Sequence, residues 1–372
     1  MSKLHKYAFS ELYEMSSGIS TTKDQAGHGS PFVSFSTVFN NYFLPGELPD
    51  LMDTSVSEQE KFSVKKGDIL ITRTSETVDE LAMSCVALKD YPKATFSGFV
   101  KRLRPKKSGI AYDRYMAFFL RSKYFRKIID CNTIMTLRAS FNEAIFSFLD
   151  IYLPDYEEQI RIGDLLYKIE KKMQLNKKIN DNLQHMAYTK YMHMFYGKKS
   201  NGKLDDIIVE QPKSPIQVGE AKEASGTVPF FTSGEAILKW PEALATGRNC
   251  FLNTGGNADV KFYVGESAYS TDTWCISAKN DMADYLYLLL DSIRLELNLK
   301  FFQGTGLKHL QKPLLRGRPI YIPSDIELRE FNIEVKPWLS MISDNIRESE
   351  ELISLRDWLL PMLMNGQANI QD

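Results

Sequence analysis

Pro154-Asp155 followed by Glu170-Lys171-Lys172 spells the PD…ExK pattern of a metal-dependent nuclease. That chemistry needs both carboxylates on one ion. Here they fall in one expected helix, so at the helical rise they stand roughly 22 Å apart. Helix capping and surface charge explain them better. The five histidines (His5, His28, His185, His193, His309) show neither triad nor metal spacing. The four cysteines (Cys85, Cys131, Cys250, Cys275) form no CxxC pair and no zinc pattern with histidine. Gly255-Gly256 lacks the rest of a nucleotide-binding fingerprint. No Pro-Pro pair exists to build the Asn/Asp-Pro-Pro-aromatic string of an amine methyltransferase. No catalytic residue and no metal ligand is expected from these patterns.

Charge distribution points toward binding. The net charge is only −1, yet residues 101–130 hold ten basic side chains against Asp113 and Asp130, and residues 294–318 hold six against Glu296. Local basic patches suit phosphate contacts. A solvated, salt-laced face would explain one such patch; two at comparable places in two halves weaken that explanation. Met1 to Ser10 carries no apolar stretch, and no run approaches bilayer length. With scattered cysteines, this leads us to expect a cytoplasmic protein with reduced thiols and no membrane partner.

Self-similarity organises the chain. Residues 151–197 align without a gap with 320–366 at an offset of 169, and the register extends back to Thr136 and Thr305. Ile151-Tyr152-Leu153-Pro154 repeats as Ile320-Tyr321-Ile322-Pro323, with Glu158/Glu327, Asn176/Asn345, Leu183/Leu352 and Gly197/Gly366 matching. Asp155 with Glu158, and Ser324 with Glu327, form capping-box patterns. Each repeat then runs as a helix to a glycine that suits a left-handed stop. A helix over 155–196 rises roughly 60 Å. Apolar residues recur near every seventh position: Ile162, Ile169, Leu183 with Leu166, Met173, Ala187, Met194; and Phe331, Trp338, Leu352, Leu359 with Val335, Ile342, Leu363. Such rows seat another helix. Residues 160–199 carry nine basic against three acidic side chains, and 324–372 carry four against ten, so the two helices should pair with each other. Asn176 and Asn345 interrupt the apolar rows, where a polar residue fixes register. They should meet within two helical turns, about 11 Å, at a pseudo-twofold crossing. Tyr188, Tyr191, Phe195 and Tyr196 cluster at the end of the first helix, expected as end packing, with subunit docking the sharper reading.

Two globular segments precede the helices. Both have candidate strands, such as Asp68–Thr72, Lys261–Val264 and Thr273–Ile276, and both turn helical at Tyr112–Ile129 and Met282–Leu297. Gly197-Lys198-Lys199-Ser200-Asn201-Gly202 is a flexible boundary. The expected class is α+β: globular domains at 1–154 and 199–323, separated by long antiparallel coiled-coil helices at 155–198 and 324–372, with a pseudo-twofold internal repeat.

In this plan the chain resembles the specificity (S) subunits of Type I restriction–modification systems. The resemblance covers nearly the whole chain. It rests on the duplicated domain-plus-helix order, on Gly67–Glu76 (GDILITRTSE), Phe251–Asn257 (FLNTGGN), Ser270–Trp274 (STDTW) and Phe301–Leu310 (FFQGTGLKHL), and on the Tyr-Leu-Pro entry before Glu157-Glu158-Gln159. It implies that each domain reads half of a split duplex DNA site in the major groove. It also implies that two methyltransferase (M) subunits dock on the helices, carrying S-adenosylmethionine and methylating adenine. Restriction/translocase (R) subunits, with their ATP and Mg, would join through them. A prokaryotic cytoplasm follows from the same resemblance. A rigid spacer of this length can set a half-site separation near one turn of DNA, about 34 Å.

Candidate DNA contacts are polar residues on loops beside the basic patches. Arg73, Thr74 and Ser75 follow a strand end; Arg forks to guanine and Thr touches base edges or phosphate. Lys101, Arg102 and Arg104 head the first basic patch. Arg138 lies just after Thr136, as Lys308 and His309 lie just after Thr305. Asn253, Thr254 and Asn257 flank a glycine pair where backbone can approach DNA and Asn can pair with adenine. The competing reading is a stand-alone coiled-coil DNA-binding scaffold or regulator on the same fold.

Overall fold

The computed structural model describes residues 4–75, 80–132 and 139–368. The chain divides into two compact units: Met1–Lys172 with Leu352–Asp372, and Met173–Glu351.

The first unit is built on Tyr13–Ser17 (β2), Ile69–Thr72 (β5), Ser84–Val86 (β7) and Val100–Pro105 (β9), an antiparallel sheet in the order β2-β9-β5-β7. The run Ile69-Leu70-Ile71-Thr72 is buried on both faces. Its alternation sends Ile69 and Ile71 into one apolar cluster and Leu70 into another. A smaller sheet sets Ala26–Val33 (β3) between antiparallel Asp50–Met52 (β4) and parallel Thr95–Phe96 (β8). Thr74–Ser75 (β6) pairs with Ala139–Ser140 (β10). His5–Ala8 (β1) pairs with Asp150–Leu153 (β11), which leads into the first long helix. Helices Asp113–Phe119 and Lys123–Asn132 fill the core with Phe118, Phe119 and Phe125.

The second unit repeats the order and direction of both main sheets and of the strand pair that leads into its long helix. Ile208–Glu210 (β13), Arg248–Asn253 (β16), Val260–Val264 (β17) and Thr273–Ala278 (β19) lie in the order β13-β19-β16-β17. Val228–Phe231 (β14) sits between antiparallel Ile237–Trp240 (β15) and parallel Ala268–Tyr269 (β18). Gly202–Lys203 (β12) pairs with Pro319–Ile320 (β22), and Phe302–Gln303 (β20) with His309–Leu310 (β21). Cys250 and Leu252 face one cluster while Phe251 faces another, as the strand period requires.

The long helices are Tyr156–Phe195 and Asp325–Met364, each of 40 residues, or about 60 Å. Both end near a glycine with positive φ, Gly197 at 76° and Gly366 at 67°. Their pairing runs antiparallel within each unit. In the second, Asn345 Nδ2 donates to Asn180 Oδ1 at 2.8 Å, Lys190 reaches Glu334 at 2.6 Å and Lys198 bonds Glu327. In the first, Arg356 lies 3.5 Å from Glu170. The heptad residues Ile162, Leu166, Ala187, Phe331 and Val335 are buried. Asn176, also buried, donates from Nδ2 to Glu348 (2.7 Å), to Ser349 Oγ (3.3 Å) and to the carbonyl of Asn345 (3.5 Å). The Asn176–Ser349 and Asn345–Asn180 bonds are mates under the repeat.

One local expectation is corrected. Ser324 and Glu327 do form the reciprocal capping box, but at the first helix the same residue types serve otherwise. Asp155 takes His5 at 3.0 Å and Glu158 takes Arg161 at 2.7 Å. The His5 ring and the Arg161 guanidinium both lie within reach of these carboxylates. The aromatic cluster also divides: Tyr191 and Phe195 pack on Tyr285, while Tyr196 is exposed.

Candidate nucleic-acid interface

In each domain three loops meet at the end of the central strand. After β5, the Arg73 N–H donates to the Phe99 carbonyl (2.8 Å), and the Arg73 carbonyl accepts from the Phe141 N–H (2.8 Å). After β16, the Thr254 N–H donates to the Asp272 carbonyl (3.0 Å), and its carbonyl accepts from Leu310 (2.9 Å). The middle loop is a tight turn in both, closed by Val100 N–H to Ser97 O (2.9 Å) and by Thr273 N–H to Ser270 O (3.0 Å). Its anchors match as well: Gly98 N–H to Ile19 O (2.7 Å), and Thr271 N–H to Ile216 O (2.8 Å). These four backbone bonds recur in both frames, and the side chains the frames carry differ. Arg73, Thr74, Phe99 and Ser140 stand where Thr254, Gly255, Asp272 and His309 stand in the other domain.

Several expected contacts lie in these frames. Arg73 is exposed, its guanidinium 3.5 Å from the Gly98 carbonyl. Thr74 is half-buried; Ser75 is buried, with its hydroxyl 3.5 Å from Glu80. Thr254 is half-buried, and its hydroxyl donates to the Asp272 carbonyl at 2.9 Å. Asn257 and His309 are exposed, and Lys308, half-buried, receives the Gly256 N–H on its carbonyl at 3.0 Å. Gly255 bridges His309, so the 253–257 and 308–310 loops form one surface. Arg138 lies outside the described residues.

Four expected contacts are corrected. Arg104 points inward as a two-pronged partner of buried Asp68, at 2.7 and 2.6 Å. Arg102 donates to the Ser63 carbonyl and lies over Phe96. The Lys101 ammonium donates to Ser17 Oγ at 2.8 Å; burial first, then neighbouring Arg73, hold its pKa below the usual lysine range. Asn253 is spent on its own loop, donating to the Gly255 carbonyl (2.7 Å) and accepting from the Asp259 N–H (2.7 Å). Lys101, Arg102 and Asn253 are buried and Arg104 half-buried, and a polar group withdrawn from water must find its partners inside the domain.

Five more cations of the two basic patches are also held by partners within their domains. Arg121 donates to the Ser84, Val38, Phe39 and Asn41 carbonyls. Arg114 pairs with Asp164 at 2.9 Å. In the second domain Lys312 and Arg316 share Glu210, at 3.2 and 2.9 Å, and Arg318 takes Glu296 at 2.8 Å. Lys312 also sits 4.9 Å above the Trp274 ring, whose N–H donates to Glu210 at 2.7 Å. Glu210, Trp274 and Lys312 line a 270 Å³ cavity that reaches Thr254 and Asp272.

Phe99 and Asp272 were not reached by reasoning on the repeat. Their turns are offset by 173 residues rather than 169, so the ungapped alignment missed them. Their shared signal is a serine two residues ahead of each, at Ser97 and Ser270.

Among known proteins, the family model described as Type I restriction modification DNA specificity domain matches residues 5–185. The Type I restriction enzyme MjaIX specificity subunit of Methanocaldococcus jannaschii is 22% identical over 376 aligned residues, covering 89% of this chain and 84% of that protein. Residues 5–185 carry the DNA specificity domain of Type I restriction–modification systems. The HindI specificity subunit of Haemophilus influenzae is 25% identical over 168 residues, 44% of this chain and 35% of that one. The crystal structure of the S subunit from M. genitalium has the same fold, with a TM-score of 0.67 at 13% identity over 97% of this chain and 96% of that one.

As a specificity subunit it is a non-catalytic DNA-recognition protein that assembles into a restriction–modification complex, and the scaffold reading is not favoured. The PD…ExK residues have structural partners, Asp155 with His5 and Glu170 with Arg356. Among the described residues no group of three or more His, Cys, Asp or Glu side chains could hold a metal ion, and no helix is long and apolar enough to cross a membrane.

Proposed function

We propose that each domain reads one half of a bipartite duplex target in the major groove through its three-loop frame, and that the long helices carry two adenine methyltransferase subunits. Those partners bind S-adenosylmethionine. Restriction subunits using ATP and Mg join through them, in a prokaryotic cytoplasm. The observation that carries this reading is the pair of frames: a shared set of backbone bonds presenting different side chains suits two readers of unlike half-sites. Phosphate contacts fix orientation while base contacts specify. This reading assigns those contacts to Arg73, Thr74, Thr254, Asn257, Lys308 and His309.

The test is genome-wide mapping of methylated adenines in cells with and without this gene, repeated after residues 202–319 are exchanged for the equivalent segment of another specificity subunit. The modular reading requires that only one half of the methylated motif change. Methylation unaffected by the gene, or a motif altered in both halves, would refute it.

A further inference from the structure

The turns Ser97–Val100 and Ser270–Thr273 present their third residue at equivalent places, and these residues are chemically opposite. The Phe99 side chain is an exposed aromatic, 64% accessible. It is held there because its N–H donates to Ser97 Oγ at 3.2 Å and its carbonyl receives the Arg73 N–H. Asp272 is an exposed carboxylate whose backbone carbonyl accepts both the N–H and the hydroxyl of Thr254, at 3.0 and 2.9 Å. A lone exposed aromatic is ordinary on a protein surface. An exposed aromatic rigidly mounted beside Arg73 on a DNA-facing loop is a built probe. A carboxylate at the same spot would be repelled by phosphates, so its presence calls for a base donor.

We propose that this turn position is a base-reading position in both domains: Phe99 packs on the 5-methyl group of a thymine, and Asp272 accepts from the 4-amino group of a cytosine. Both pairings follow from what the major groove displays. The assignment rests on the reading that the three-loop frames face DNA. Phe99 supplies apolar contact without hydrogen-bond demand, while Asp272 can only accept, which selects the exocyclic amine. The preformed turns fix the backbone that carries both side chains, so little backbone ordering accompanies binding.

The experiment uses this chain in complex with its methyltransferase subunits and a duplex carrying the motif found by methylation mapping, with half-sites assigned by the domain exchange. Replacing thymidine by deoxyuridine in the first-domain half-site removes only the methyl group. Binding should weaken about fourfold, the worth of one buried methyl. The Phe99→Ala complex should bind both duplexes alike. In the other half-site, replacing the read cytosine by thymine should weaken binding about tenfold, and Asp272→Ala should abolish that preference. Both side chains are exposed, and unchanged thermal melting of the variants confirms folding. A first half-site without thymine, or equal binding of thymidine and deoxyuridine duplexes by the unaltered complex, overturns the Phe99 assignment. A second half-site without cytosine overturns that of Asp272. Arg73→Ala separates the two levels. If it weakens binding while the methyl substitution does not matter, only the base assignment falls. If it too has no effect, the DNA-facing reading falls with it.

Discussion

Arg104 and Arg73 belong to the same domain and have opposite fates. Arg104 is locked onto Asp68, whose carboxylate is almost wholly buried, while Arg73 reaches solvent at a strand end. Arg104→Ala would leave a buried carboxylate unpaired, which costs about 3 kcal/mol. A urea titration should show that loss, with the methylated motif unchanged in the folded protein. Arg73→Ala should leave the unfolding free energy within about 0.5 kcal/mol of the parent and lower affinity for target DNA about tenfold. A base contact also relaxes specificity at one position, whereas a phosphate contact weakens binding to all sequences and reduces its salt dependence.

At the scale of the element, the long helices combine a conventional apolar seam with two devices. Asn176 sits buried in that seam with its Oδ1 unpaired. An unmet acceptor is costly, so the polar residue is kept for register rather than stability. Replacing both Asn176 and Asn345 by Leu should raise the unfolding free energy from urea titration by about 1 kcal/mol. The second device is the cap at Glu327. Lys198, the Ser324 backbone and hydroxyl, and Tyr321 all donate to its carboxylate and hold its pKa down to about 2. A depressed carboxylate stabilises above its unfolded pKa and loses that contribution as pH falls through the folded value. The window therefore runs from about 4.5 down to about 2. Melting temperatures of the parent and Glu327→Gln proteins should differ most above that window and converge at its acid end.

At the scale of the whole molecule, each compact unit draws on distant stretches of chain. Leu363 and Met364, near the end of the second long helix, are buried in the first unit among Ile162, Leu166 and the domain core. Tyr191 and Phe195, at the matching place on the first helix, are buried in the second unit among Tyr285, Leu286 and Phe331. The second helix therefore closes a domain that begins at the N-terminal end of the sequence. Leu363→Ala should cost about 2–5 kcal/mol by the usual cavity relation. Hydrogen exchange should place the lost protection in residues 4–172, leaving the strands of the second unit protected.

Period and repetition are written in the order of residues, and they were enough to predict two long helices, their mutual charge complement, the Asn176 and Asn345 positions and the duplicated plan. An amphipathic helix needs only local spacing to declare its buried face. The three-loop frames were not legible in that way. They depend on hydrogen bonds between strands far apart in sequence, and a four-residue change of offset hides Phe99 and Asp272 from alignment. Charge was least legible of all. Lys101, Arg102, Arg104 and the arginines of both basic runs look like a DNA-binding face when counted along the chain. Only the tertiary fold sets acidic side chains and free carbonyls against them, because a cation in a half-buried strand or helix must find its partner inside the domain.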